Sequence, residues 1–460
     1  MSRFLKLMSI LAIVALIAVP AFAEVQNVKV SGDIDSKMIN RSNYDLNNNV
    51  IGAQDRDTWF MSTTRVQVDA DLTDNVSTCV RLLNERDWNN DSTATQNASG
   101  NTEIVLDLSY LKLKEMFYAP LTLTIGRQNI RLGNGLVIGD PDTNDAAISN
   151  AITAKDLSAK KSFDAVRATL DYNPLTVDLL FAKVDAGVIG TGRNNDDTNV
   201  YGINAGYKFN QYNAEAEAYI ITKHTKQQIT PLESDTLNVY GVRGSLEPIS
   251  KLVVNGELAM QNGDYRAVGV SIDRSAYAFD LGASYAIDYK WSPKVALNYI
   301  YRSGQKQGAV DTDNDTAGAG KYKAWDTACE DQTHGIIANQ IFDGNNDGVD
   351  SNGSTINVMA SAVPVQDLTV AVDYYNFMLA QKWETANYLG ALPARTLNGD
   401  GYDVRSSKDL GQEVDLSLGY DYTEDVKLGL TAGYFLPGRA FLKTNNDPAT
   451  TVMADVKVSF

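Results

Sequence analysis

The chain has 460 residues, a formal net charge of −17 and 44% hydrophobic residues, with 34 glycines and 23 tyrosines. That acidity argues against nucleic acid as a partner, because a phosphate backbone is bound by clustered cations. Its two cysteines, Cys79 and Cys329, make no disulfide framework and no metal or redox spacing; no G-x-S-x-G or H-E-x-x-H motif accompanies its two histidines, so the sequence reads as a non-enzyme.

Arg3 and Lys6 precede an apolar run at residues 7–20, and Ala21-Phe22-Ala23 is a small-x-small cleavage site. Residues 1–23 therefore read as a secretory signal peptide and residues 24–460 as one exported domain. No later stretch has the apolar length that a spanning helix needs. A closed barrel remains as a way to cross a membrane, because its strands pair every backbone group internally.

Period-two alternation begins at residues 25–34, and a polar loop is expected over residues 35–57. In residues 58–72, Val66, Val68 and Ala70 share one parity while Arg65, Gln67 and Asp69 share the other. A tight turn at residues 73–75 leads to residues 76–85, where Arg81 and Glu85 fall on the inward parity. Strand pairs follow at 103–113 with 121–130, 163–172 with 175–184, 199–209 with 213–222, 237–246 with 252–260, 275–287 with 294–301, 355–363 with 368–377, and 412–422 with 426–436. The last strand, residues 450–460, puts Val452, Ala454, Val456, Val458 and Phe460 on one parity. About eighteen strands result, an even number as single-chain bacterial outer-membrane barrels require.

The connections sort by length: short within each pair, long between pairs, as at residues 131–162, 261–274, 302–354 and 378–411. In an outer-membrane barrel this sets short turns on the periplasmic side and long loops outside. A soluble sandwich would have an apolar inner face and no such sorting. The expected fold class is all-β, a transmembrane antiparallel barrel embedded in bacterial outer-membrane lipid. Aromatics on the outward parity, among them Tyr110, Tyr201, Tyr240, Tyr277, Tyr434 and Phe460, read as girdles at the lipid boundary.

Inward parity supplies the candidate channel-lining residues. They are Arg65, Arg81, Arg167 and Arg243, with the carboxylates Glu85, Asp171, Asp178, Glu257, Asp280, Glu413 and Asp415. The tight turns set Arg81 diagonal to Asp69 and Arg167 diagonal to Asp178. Inward carboxylates outnumber the arginines, so the lumen reads as mixed in charge: either a neutralising network that holds strands in register or a selectivity device. Asp343-Gly344-Asn345-Asn346-Asp347-Gly348 fits the first half of a calcium loop, with Asp343, Asn345 and Asp347 as candidate ligands. Ser354 stands where the closing Glu belongs, so a solvated acidic loop is the competing reading, and no other cofactor is expected.

Three stretches carry a family resemblance: L-T-L-T-I-G-R-Q-N-I at residues 121–130, Gly411-Gln412-Glu413-Val414-Asp415, and Phe435-Leu436-Pro437-Gly438. They resemble the G-R-Q strand, the G-x-E-x-D strand and the F-x-P-G turn of the alginate export porin family, and terminal Phe460 resembles the signal read by the barrel assembly machinery. The resemblance implies a monomeric eighteen-stranded barrel whose pore arginines guide an anionic polysaccharide outward. It also adds Arg127 to the lining set, although strict alternation puts Arg127 on the outward parity unless a bulge near Gly126 turns it in. Three functions stay open: a passive channel for anionic polysaccharide or related solutes; a general diffusion porin for small solutes or ions with a mixed-charge or cation-favouring lumen; and a structural or adhesion barrel plugged by the loops at residues 131–162 and 302–354.

Overall fold

The computed structural model describes residues 26–47, 56–88, 104–117, 120–141, 153–185, 197–226, 234–267, 270–305, 321–342, 350–382, 396–397, 400–401 and 407–460. The signal peptide expected at residues 1–23 and the candidate calcium ligands Asp343, Asn345 and Asp347 lie outside the described residues.

Eighteen strands close into one antiparallel barrel. They are β1 Asn27–Ser42, β2 Arg56–Thr73, β3 Val76–Asp87, β4 Val105–Lys114, β5 Leu121–Asn129, β6 Ser162–Asp171, β7 Leu175–Asp185, β8 Thr198–Lys208 and β9 Glu215–Lys226. The circle continues with β10 Ser234–Ile249, β11 Leu252–Ala267, β12 Val270–Ala286, β13 Lys294–Arg302, β14 Gly353–Val365, β15 Leu368–Leu379, β16 Asp409–Asp421, β17 Val426–Pro437 and β18 Ala449–Ser459. Each strand pairs with the next, and β18 returns to β1 with Val458 opposite Ile34, so the sheet has no open edge. The two-residue strand Lys321–Tyr322 adds in parallel to β12 at the long-loop end.

Alternation decides the faces. Val66, Val80, Ile125, Ile203, Val242, Leu258 and Leu430 are exposed on the outer parity, a surface suited to lipid, while their neighbours turn into the lumen. One bulge changes this count. The β3–β4 register shifts between Arg81 and Leu82, so Asp107 stays inside and Tyr110 comes to face buried Cys79. Tyr110 thus leaves the expected outer girdle. Cys79 and Cys329 are both buried and unbridged.

Several strands overrun their expected ends. β1 continues through Ser42 over residues expected as a polar loop, and β11 and β12 leave little of the loop expected at residues 261–274. The cause is lumenal composition: Asp35 and Lys37 share the inward parity with Asp33 and Arg65, and such residues read as loop when the two faces are pooled.

The apolar core sits inside the barrel, near the long-loop end. Loop residues Leu136, Val137 and Ile138 pack with Trp325 and Cys329 against inward-facing Phe163, Val200, Ile221, Val239 and Ala278. A second cluster seats the short helix α1, Ala338–Phe342, whose Phe342 ring lies 6.1–6.4 Å from those of Phe377, Phe435 and Phe441. The lumen wall therefore carries apolar patches where loops pack on it.

Candidate channel lumen and its inward loops

The four arginines expected inside are inside, and each meets a carboxylate. Arg65 stands directly opposite Asp33 and holds it through Nε at 2.9 Å and Nη2 at 3.0 Å. Arg167 is diagonal to Asp178 and forks onto it at 2.9 and 2.8 Å, with the Thr169 hydroxyl donating to the same carboxylate. Arg81 is diagonal to Asp69 in register yet donates to Asp107 at 2.5 Å, because the β4 bulge brings that fully buried carboxylate closer. Arg243 donates through Nη1 to Glu215 at 2.7 Å and through Nε to Asn134 at 2.9 Å.

Arg127 departs from the lining expected of the G-R-Q motif. Gly126 has a φ of +118°, but pairing runs on unshifted, with Arg127 between Ser109 and Asp164. Asp164 shares the outer parity of Val166 and its side chain is 60% exposed; Arg127 donates to it at 3.1 Å and to Ser162 at 3.0 Å. The glycine serves the strand contact itself, since a Cβ at 126 would overlap the Ser109 carbonyl oxygen.

Most of the expected lining carboxylates anchor loops instead of facing an open bore. Glu257 accepts the Asn134 backbone N–H at 2.7 Å and the Tyr219 hydroxyl at 2.6 Å. Asp280 accepts the side chains of Asn134 at 3.1 Å and Gln332 at 3.0 Å. Glu413 accepts the N–H groups of Ile337 and Ala338 at 2.7 and 2.8 Å, and Asp415 that of Ile336 at 3.2 Å. Glu85 accepts from Ala159 N–H and the Ser158 hydroxyl. Asp171, exposed at the short-turn end, accepts from the Asn173 N–H.

The anchored segments meet each other within the barrel. Ile138 bridges Cys329 in parallel, Gly139 N–H donates to the Cys329 carbonyl at 2.7 Å, and Arg131 and Lys161 both pair with Asp331. Buried charges outside the strands are tuned accordingly. Burial lifts the Asp350 carboxyl to about 6, and burial beside Asp350 lifts Glu330 well above the usual carboxylate range. Burial, and then Arg302, hold His334 well below the ordinary imidazole value, so its Nε2 accepts from Arg302 Nη2 at 3.0 Å. Below the loops, a polar cavity of about 560 Å³ opens between Arg131 and Gln332 of the loops and asparagines of the wall.

A family model for alginate export matches residues 36–455. The chain belongs to the alginate export family. Among solved structures it is similar to the outer membrane protein OprD from Pseudomonas aeruginosa, with a TM-score of 0.55, 11% identity, and 95% of this chain and 94% of that one covered. It is also similar to P. aeruginosa OccK2 (OpdF) in complex with glucuronate, with a TM-score of 0.53, 10% identity, and 95% and 99% of the two chains covered. Acinetobacter baumannii OccAB1 gives a TM-score of 0.53 at 11% identity, with 96% and 99% covered. At such identity these likenesses speak for the fold alone. No curated protein sequence matches. Family and fold together make this alginate export family member an outer-membrane channel.

Sequence reasoning missed several partners in this family member's lumen. Asp33 was legible, since it lies on the inward parity of β1 one hairpin away from Arg65. Arg131 and Asp331 carried no local signal, because they come from loops 200 residues apart in the chain. Arg274, on the inward parity of β12, pairs with Asp235 at 2.8 Å and with Asp326 at 3.2 Å.

Proposed function

We propose that the channel passes uronate-bearing, anionic saccharides or related polar solutes by passive diffusion, through a lumen of balanced charge. The observation that carries this reading is the pairing of Arg65, Arg81, Arg167 and Arg243 with carboxylates. A passing anion then meets no ladder of uncompensated guanidinium groups, and selection falls to hydrogen bonding with the polar lumen wall. The family description supports a polysaccharide cargo, and the glucuronate complex of the similarly folded OccK2 supports uronates as a chemical class. The protein works as a monomer in outer-membrane lipid, delivered by the barrel assembly machinery.

Reconstitution tests the reading. Liposomes carrying the refolded protein should release uronate oligosaccharides, and planar bilayers should show weak small-ion selectivity with current block by those oligomers. Strong cation selectivity indifferent to uronates would replace this reading with a general diffusion porin. The inward loops favour one further reading, a plugged barrel, which a complete lack of conductance would establish in its place.

A further inference from the structure

Carboxylates stand at most turns of the short-turn end, among them Asp74, Glu115, Asp367, Glu424 and Asp425. The connection from β12 to β13, residues 287–293, departs from that pattern and presents Tyr289, Lys290 and Trp291 in succession. Its backbone is fixed by hydrogen bonds. Ile287 N–H donates to the Pro293 carbonyl at 2.8 Å, Ser292 N–H to the Tyr289 carbonyl at 2.8 Å, and Val363 N–H, at the foot of β14, to the Trp291 carbonyl at 2.7 Å. Tyr289 and Trp291 are exposed, with their rings edge to face at 5.4 Å. The Lys290 ammonium lies 5.1 Å from the Trp291 ring centre and 5.9 Å from that of Tyr289. Two aromatic rings thus hold the ammonium in place without neutralising its charge.

Asp288, the carboxylate of this turn, is taken by Lys251 from the turn between β10 and β11, and Lys290 pairs with no carboxylate among the described residues. Above the turn, the outer face of β14 is thin. Ala360 and Ala362 share the outward parity of Ile356 and Val358; Ala360 lies between exposed Val295 of β13 and exposed Val372 of β15, and Ala362 lies opposite Val370. One outward position further up, Val358 stands between Leu297 and Tyr374 and closes the space. A short, shallow apolar furrow therefore runs up the lipid face from Val363, with Trp291 fastened at its foot.

We propose that this turn and furrow bind one anionic phospholipid of the periplasmic leaflet, with its phosphate on the Lys290 ammonium, its glycerol region beside Tyr289 and Trp291, and one acyl chain along Ala360 and Ala362. Cation, aromatic rings and apolar furrow follow one another up the wall in the order of headgroup, glycerol and chain in a lipid. The ammonium has three donors for phosphate oxygens, and its charge is uncompensated in a chain whose net charge is −17. A zwitterionic headgroup would bring a cation of its own against Lys290, so the turn discriminates by charge. The site depends on the barrel and its lipid face, whatever the channel carries.

Quenching of tryptophan emission tests it. The full-length protein, refolded into phosphatidylcholine vesicles, is titrated with dibrominated phosphatidylglycerol or dibrominated phosphatidylcholine, and the Trp291 share of the emission is the difference between wild type and Trp291→Phe. The relative association constant at Trp291 should favour phosphatidylglycerol about fivefold, the contribution of one lysine near a membrane surface. Lys290→Gln should bring the ratio to one, Lys290→Arg should keep it, and high salt should reduce it. Ala360→Leu with Ala362→Leu, which fills the furrow, should cut quenching by both lipids about twofold or more. Heat-modifiable gel mobility identifies the folded barrels. Equal quenching by the two lipids in wild type would reduce the turn to an ordinary interfacial anchor and overturn the site. A preference that survives Lys290→Gln would also overturn it, and unchanged quenching in the filled furrow would strike out the acyl-chain contact.

Discussion

Replacing Glu413 by alanine should release the loop segment that it anchors. Glu413 is fully buried and holds two backbone N–H groups, those of Ile337 and Ala338, at 2.7 and 2.8 Å. Gly335 packs so closely that a Cβ there would lie 2.6 Å from Glu413 Oε2. Removing the acceptor leaves two buried N–H groups unpaired at about 1–3 kcal/mol each, so docking of residues 335–342 should weaken by about 2–6 kcal/mol. Packing of Ile337, Ile341 and Phe342 remains, at about 1.5–3 kcal/mol for each buried side chain, so the segment is loosened and not expelled. The segment should then leave its seat for a measurable fraction of the time. In planar bilayers the variant should show a larger or flickering single-channel conductance. Its heat-modifiable gel mobility should stay that of a folded barrel, because pairing of β16 with β15 and β17 is untouched. Glu413→Gln, which keeps one acceptor oxygen, should fall between. A Glu413→Ala channel with wild-type conductance and no added noise would refute the anchoring role.

Other perturbations separate lumen from outer face and loop from wall. Arg243→Ala should leave Glu215 and Glu217 uncompensated and move the reversal potential toward cation preference, whereas Arg127→Ala should leave it unmoved; equal shifts would contradict the outer placement of Arg127. Asp350, lifted by burial from 3.8 to about 6, stabilises the docked loop fully below 3.8 and loses that contribution as pH rises through 6. Asp350→Asn should therefore slow amide exchange across residues 324–342 relative to wild type at pH near 7 and lose the advantage near pH 4, while the opposite titration of His334 cancels in the ratio; a constant ratio would argue against the linkage. Gly126→Ala, at a φ of +118° and with its Cβ driven into the Ser109 carbonyl, should lower the refolding yield read by gel mobility. A wild-type yield would show that the β4–β5 contact can relax.

Parity along the strands located Arg65, Arg81, Arg167 and Arg243 in the lumen, and the register set by the tight turn paired Arg167 with Asp178. The same logic misplaced Tyr110 and mispaired Arg81, because a single bulge in β4 shifts every later residue by one face and leaves no trace in composition. It also read part of β1 as loop, since charged lumenal residues and charged loop residues look alike without the partner strand.

Alternation and turn spacing determined the closed barrel, its strand number and its lipid face, because each is a local property of neighbouring residues. What the inward carboxylates do was decided only by the tertiary fold. Glu413 meets its partner Ile337 from 76 residues away, and Glu257 meets Asn134 from 123. A carboxylate on the lumen face is equally able to line water, pair with an arginine or hold a loop. Which of these it does depends on where long loops come to rest inside the barrel, and no period in the sequence encodes that.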